Sequence, residues 1–157
     1  MKRRQTLPRQ WLVADHRLGE RLWLAIRRLP RGSGILVLYR DMPRGERARL
    51  LARLRRVARL RDLVIADEAA GEAMRVHNGR ESLRAALAGV PVLFLSPMFP
   101  TRSHPAWKPL PLLRAAALAQ SAESHVVALG GMSPDRFRRI QRLGFSGWAG
   151  IDAWIRT

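Results

Sequence analysis

The chain contains no cysteine. Disulfides and thiolate metal ligands are therefore excluded, and a reducing cytoplasm is the expected setting. Lysine is scarce as well: Lys2 and Lys108 are the only two, and every other basic residue is arginine. Acidic residues number 12 against 29 lysines and arginines, leaving a formal net charge of +17. Long apolar runs are missing; PVLFLSPMF (residues 91–99) falls far short of the ~18 residues that a membrane helix needs. The N-terminal MKRRQTLPRQ is basic, but charged residues follow WLVAD, so neither a secretory leader nor a membrane anchor is expected.

A charge of this size attracts polyanions, whether nucleic acid or phosphorylated metabolites. The arginine-rich stretch between Arg44 and Arg61 is the candidate for nucleic acid. No aromatic stacking platform accompanies it, and solvated helix faces explain such runs equally well, so nucleic acid is not the expected partner.

What the chain does have is alternation. Its 157 residues are 47% hydrophobic, enough for one domain over residues 1–157. Apolar runs suited to strands lie at 10–15, 35–40, 63–67, 74–78, 92–99 and 125–131, with GWAGIDAW closing the chain as a strand and a short helix. Between them, helical periodicity covers 18–29, a long segment from Pro43, then 81–88, 109–120 and 134–143. Residues 69–73 suggest a single helical turn. Strands apolar on both faces, each followed by a helix, imply an α/β fold with a parallel sheet of the barrel type. Seven strands are one short of a closed (β/α)8 barrel, and the chain is below the roughly 200 residues at which such barrels begin.

Ligands of parallel α/β domains meet the C-terminal ends of the strands. Two segments there are distinctive. LFLSPMFPTRSHP (residues 93–105) runs from a strand into a proline-punctuated loop carrying Thr101, Arg102, Ser103 and His104. ALGGMSPDRF (residues 128–137) ends a strand in Gly130 and Gly131, which permit close backbone approach to a ligand.

Together these segments resemble the thiamine phosphate synthase family and its thiazole tautomerase relatives, which carry a GP-x-FPT-x-(S/T)-K loop and an A-(I/L)-GG-(I/M) strand end. GFSGWAGIDAW fits the family's closing strand, and WLVAD, LVLYRDM and VIADE stand in register with its first three. The resemblance implies a TIM-type barrel, here shortened by one βα unit between Asp67 and Met74, and a phosphorylated thiazole or thiamine phosphate as ligand. It implies phosphate binding by Arg40, Thr101, Ser103, Gly130, Gly131 and Gly150, and magnesium binding by Asp67. The departures are equally specific. Leu38 and Met42 replace a glutamine and a lysine that grip diphosphate, Ala66 replaces an asparagine, and His104 replaces a lysine. Asp152 stands where a serine faces phosphate. The second acidic magnesium ligand has no counterpart, and one carboxylate makes a poor Mg²⁺ site.

RVHNGRESL (residues 75–83) resembles the tautomerase branch, whose strand ends in S-x-H-S; His77 then becomes the catalytic proton carrier. The alternative is that His77 packs, or caps a helix beginning near Asn78. At the level of the whole protein, the alternative is a catalytically degenerate member that binds a metabolite or a partner. An open barrel edge invites pairing, so a homodimer is expected.

Overall fold

The computed structural model describes residues 6–156; residues 1–5, including most of the basic N-terminal run, and residue 157 lie outside the described residues. The strands are β1 (Gln10–Ala14), β2 (Gly34–Val37), β3 (Val64–Asp67), β4 (Met74–Val76), β5 (Val92–Leu95), β6 (His125–Leu129) and β7 (Gly147–Gly150). The helices are α1 (Arg21–Arg28), α2 (Arg44–Arg61), α3 (Gly79–Leu87), α4 (Leu112–Ser121), α5 (Pro134–Ile140) and α6 (Asp152–Ile155). All strand pairs are parallel, in the order β3-β2-β1-β7-β6-β5-β4. Leu12 on β1 lies opposite Ile35 of β2 on one side and Gly150 of β7 on the other.

Successive side chains alternate between two apolar layers, as a strand's period of two requires. Leu12, Ala14, Ile35, Val37, Leu93, Leu95 and Val126 face the helices. Trp11, Val13, Leu36, Ala66, Phe94 and Val127 face inward and form a separate core. Trp11 on β1 meets Phe94 on β5 edge-on, ring centroids 5.3 Å apart. In a flat sheet, the three strand spacings between them would hold them roughly 14 Å apart. The sheet is therefore curled into a partial barrel, and two aromatic side chains fill its interior. Gly34 makes room for this: a Cβ there would stand 2.0 Å from the Trp11 ring. The Trp11 indole N–H donates to the Pro8 carbonyl at 2.9 Å.

The missing βα unit falls where the family resemblance implies. β3 and β4 follow one another in the chain yet stand at opposite ends of the ladder. Residues 68–73 join them through a 3-10 turn (Glu68–Ala70) and Gly71, whose φ of 76° is easy only for glycine. Parallel strands ordinarily need a crossover of a dozen or more residues. So short a link works here because the curl brings the two edges toward each other. The link also answers edge amides that no neighbouring strand reaches. Glu72 accepts from the Asp67 N–H at 2.9 Å, and Glu68 accepts from the Arg75 N–H at 3.0 Å. This part of the open edge is thus served from within the chain.

Several boundaries shift for local reasons. The strand expected over 92–99 stops at Leu95, because Pro97 has no N–H to continue a ladder. The helix expected from Pro109 begins at Leu112, since Pro111 disfavours helical geometry in the residue before it. The segment over 18–29 splits into a 3-10 turn (His16–Leu18), Gly19 at φ 49°, and α1. No helix among the described residues is long and apolar enough to cross a membrane.

Tyr39, just past β2, is the only tyrosine of the chain. Burial, followed by the nearby Asp15 charge, pushes its phenol up to about 12 from an ordinary 10.0. A proton held more tightly in the folded state stabilises it below pH 10.0, and that contribution is lost as pH rises from there toward 12. Ultraviolet titration of tyrosinate should therefore show a midpoint near 12 in the native protein, dropping to the ordinary value in denaturant. A native midpoint near 10.0 would contradict this burial.

Candidate functional site

A cavity of about 600 Å³ opens at the C-terminal ends of the strands. Its wall draws on strands from both sides of the curl: Val13 of β1, the β2 end at Leu38, His77 just after β4, Leu129 of β6 and Gly150 of β7. The loop after β5 supplies Thr101, Arg102, Ser103, His104 and Trp107. Five arginines line it (Arg17, Arg75, Arg102, Arg136 and Arg156), with Asp152 the one acidic residue on the wall. Arg17 and Arg75 are paired with Asp15 and Glu68, so Arg102 and Arg136 are the wall arginines without an acidic partner among the described residues, and they favour an anionic ligand. Asp152 is moderated by Arg156, 3.7 Å away.

Most residues singled out in the sequence meet here. Thr101, Ser103, Gly130, Gly131, Gly150 and His77 all lie on the cavity wall. The Thr101 hydroxyl oxygen accepts from the His104 N–H at 3.1 Å, which leaves its own proton free to donate. The glycine pair also has a packing role. Gly130 and Gly131 adopt φ of 97° and 61°. A Cβ on Gly131 would stand 2.5 Å from the Pro100 carbonyl, and one on Gly130 3.0 Å from Pro97 Cα. Their bareness lets the loop lie against the end of β6, where Met98 and Phe99 donate to the Leu129 and Gly130 carbonyls at 2.9 and 3.1 Å. Arg136 then closes over the loop, donating to the Gly131 carbonyl and stacking on Phe99.

Arg40 and Asp67 do not belong to this wall. Arg40 points its guanidinium at buried Glu68, 3.3 Å away, and Glu68 also holds Arg75 at 3.1 Å. Asp67, 2% exposed, is gripped by Arg47 of α2: Oδ1 lies 2.5 Å from Nη2 and Oδ2 3.2 Å from Nη1. Its Oδ1 also accepts from the Ala69 N–H, and Arg47 Nε donates to the Tyr39 carbonyl at 2.7 Å. This donor set does not fit a magnesium ion. Both Asp67 oxygens are committed to a guanidinium, and Glu68 beside it is paired with two more. No cluster of three or more potential metal ligands occurs among the described residues. Three arginines of α2 likewise have partners within the chain: Arg47 on Asp67, Arg61 on the Ile26 and Leu29 carbonyls, and the exposed Arg53 over the Trp23 ring.

Around His77 the structure adds Glu81, a residue that sequence reasoning missed. Asn78 caps α3, accepting from the Glu81 N–H at 2.9 Å. Glu81 reaches back, and its Oε2 takes both the His77 N–H at 2.7 Å and His77 Nδ1 at 2.9 Å. Burial alone would push the Glu81 carboxyl up. Hydrogen bonds from the His77 ring and backbone, with Asn78 adding to them, outweigh this and hold it below its ordinary 4.5. The carboxylate is thus ionised at neutral pH. The opposite ring nitrogen, Nε2, has no protein partner among the described residues. Trp107 meets His77 edge-on at 5.6 Å and stacks on His104 at 4.2 Å, so one tryptophan braces two histidines. The signal for Glu81 was present as N-x-x-E, a helix-capping pattern that also sets a carboxylate four residues after His77.

Comparison with known proteins agrees with this geometry. A family described as thiamine monophosphate synthase matches residues 73–154, more than half of the chain. Among solved structures, a thiamine phosphate pyrophosphorylase from Pyrococcus furiosus superposes with a TM-score of 0.74 at 21% identity, over 95% of this chain and 88% of that one. At that identity the likeness establishes the fold alone. None of the curated proteins compared matches the chain.

Proposed function

The chain belongs to the thiamine monophosphate synthase family, and from that premise we propose that its cavity takes a phosphorylated thiazole, or thiamine phosphate itself, with His77 moving a proton on the bound ring. The observation that carries this reading is His77 itself. It sits on the cavity wall with Nδ1 held by an ionised carboxylate and Nε2 unpartnered. The phosphate would lie between the Thr101 and Ser103 hydroxyls and the backbone of Gly130, Gly131 and Gly150, with Arg102 close by.

Joining two heterocycles with loss of diphosphate asks for a divalent cation and several positive groups around the leaving group. Leu38 and Met42 supply no charge, and Asp67 is committed to Arg47. Shifting a proton within one ring asks for neither. His77 Nε2 accepts a proton from one ring position and returns it to another, so substrate and product have the same composition and no cofactor is consumed. A histidine suits this work near neutral pH.

The test is turnover of carboxythiazole phosphate tautomers, followed by nuclear magnetic resonance with a chelator present. Interconversion should proceed without divalent metal and fall at least ~10²-fold in His77→Ala. Binding without turnover would favour the degenerate, metabolite-binding alternative. Turnover that needs magnesium, or that ignores His77, would overturn the assignment.

A further inference from the structure

Glu81 does more than a helix cap requires. A capping glutamate at the third position of a helix reaches back to one backbone amide. Here a single oxygen, Oε2, takes the His77 amide and the His77 ring together, at 2.7 and 2.9 Å, while Oε1 lies 3.3 Å from Asn78 Nδ2. A carboxylate can only accept from the ring, so the proton on neutral His77 must sit on Nδ1. Nε2 is left with its lone pair. It is also the nitrogen without a protein partner among the described residues, on a side chain that lines the cavity. Trp107 meets the same ring edge-on.

We propose that Glu81 is a positioning residue for His77: it fixes the Nδ1–H tautomer, presents an unprotonated Nε2 to the cavity, and steadies the imidazolium formed when Nε2 accepts a proton. This rests on the reading of His77 as the proton-transfer group, and it makes a claim of its own about the free protein. The pairing places the histidine at a strand end and its carboxylate one helical turn on.

The experiment is long-range proton–nitrogen correlation on the ¹⁵N-labelled full chain, which reads the His77 tautomer without any ligand or turnover. The wild type should show the Nδ1–H form. Glu81→Ala should lose it in favour of the Nε2–H form that an unconstrained histidine prefers. A wild-type Nε2–H form, or an Nδ1–H form that survives Glu81→Ala, would overturn the proposal. Because the alanine variant also loses part of the α3 cap, Glu81→Gln provides the second arm. Its amide oxygen keeps the acceptor and removes the charge. In turnover assays kcat should drop at least about 10-fold, as when a carboxylate that orients a metal-binding histidine is lost, with KM unchanged. An unchanged kcat, or a change in KM alone, would contradict the role assigned to the charge. If the wild type shows no turnover, the reading of His77 as a proton carrier fails, while the tautomer spectra still decide whether Glu81 orients the ring.

Discussion

Replacing Trp11 by alanine is expected to cost about 3–5 kcal/mol of folding stability. That would be a large share of the roughly 5–15 kcal/mol that holds a domain folded. The magnitude follows from where the indole lies. It is fully buried, seated over Gly34 and edge-on to Phe94 in the middle of the curled sheet. No backbone element can collapse into that space, because strands hydrogen-bonded to their neighbours line it. The Pro8 carbonyl would also lose its donor. Trp11→Phe should recover much of the loss by keeping an aromatic ring against Phe94. Denaturant unfolding reads this directly as a lower midpoint at unchanged slope. A loss below about 1 kcal/mol would mean that the interior is not a packed core, and that the barrel is more open than these contacts describe.

The second large effect concerns Asp67. Converting it to alanine is expected to destabilise the protein by about 3–5 kcal/mol, because the Arg47 guanidinium, 17% exposed, would lose its buried counterion. The Ala69 N–H would be orphaned at the same time. The two readings of this residue separate cleanly here. A carboxylate waiting for a metal ion gives the metal-free protein little stability, and its removal is neutral or even stabilising. A carboxylate locked to arginine behaves in the opposite way. Thermal melts of wild type and Asp67→Ala, each with and without magnesium, resolve the matter. The variant should melt far lower, and magnesium should leave the wild-type midpoint unchanged. A variant as stable as the wild type, or a wild-type midpoint that climbs with magnesium, would restore the metal reading.

These two residues also show what the sequence could and could not convey. The alternation of apolar strands and helices was legible, because burial on both faces leaves continuous apolar runs; the place of the missing βα unit came from the family resemblance instead. The site was legible where it depends on residues adjacent in the chain: Gly130 with Gly131, Thr101 with Ser103, and His77 at the end of a short strand all reach the cavity. It failed where a side chain's role depends on a partner far along the chain. Nothing in VIADE reveals that Arg47, 20 residues earlier on the preceding helix α2, occupies Asp67. Nothing in LVLYRDM reveals that Arg40 turns to Glu68. With only residues 68–73 between β3 and β4, the acids there serve as internal counterions and edge-amide acceptors.

The glycine pair illustrates a milder discrepancy. The sequence suggested bare backbone for a ligand, and the structure shows bare backbone that admits a neighbouring loop as well. Both uses share one requirement, the absence of a Cβ at the end of β6.

Calorimetric titration of the full chain with thiazole phosphate, carboxythiazole phosphate and thiamine phosphate, at low and moderate salt, probes the cavity most directly. Saturable binding to at least one of them that survives moderate salt is expected, since contacts inside a cavity are screened far less than an exposed arginine surface. Binding that disappears as salt rises, or no binding to any of the three, would contradict a retained phosphate site at the strand ends.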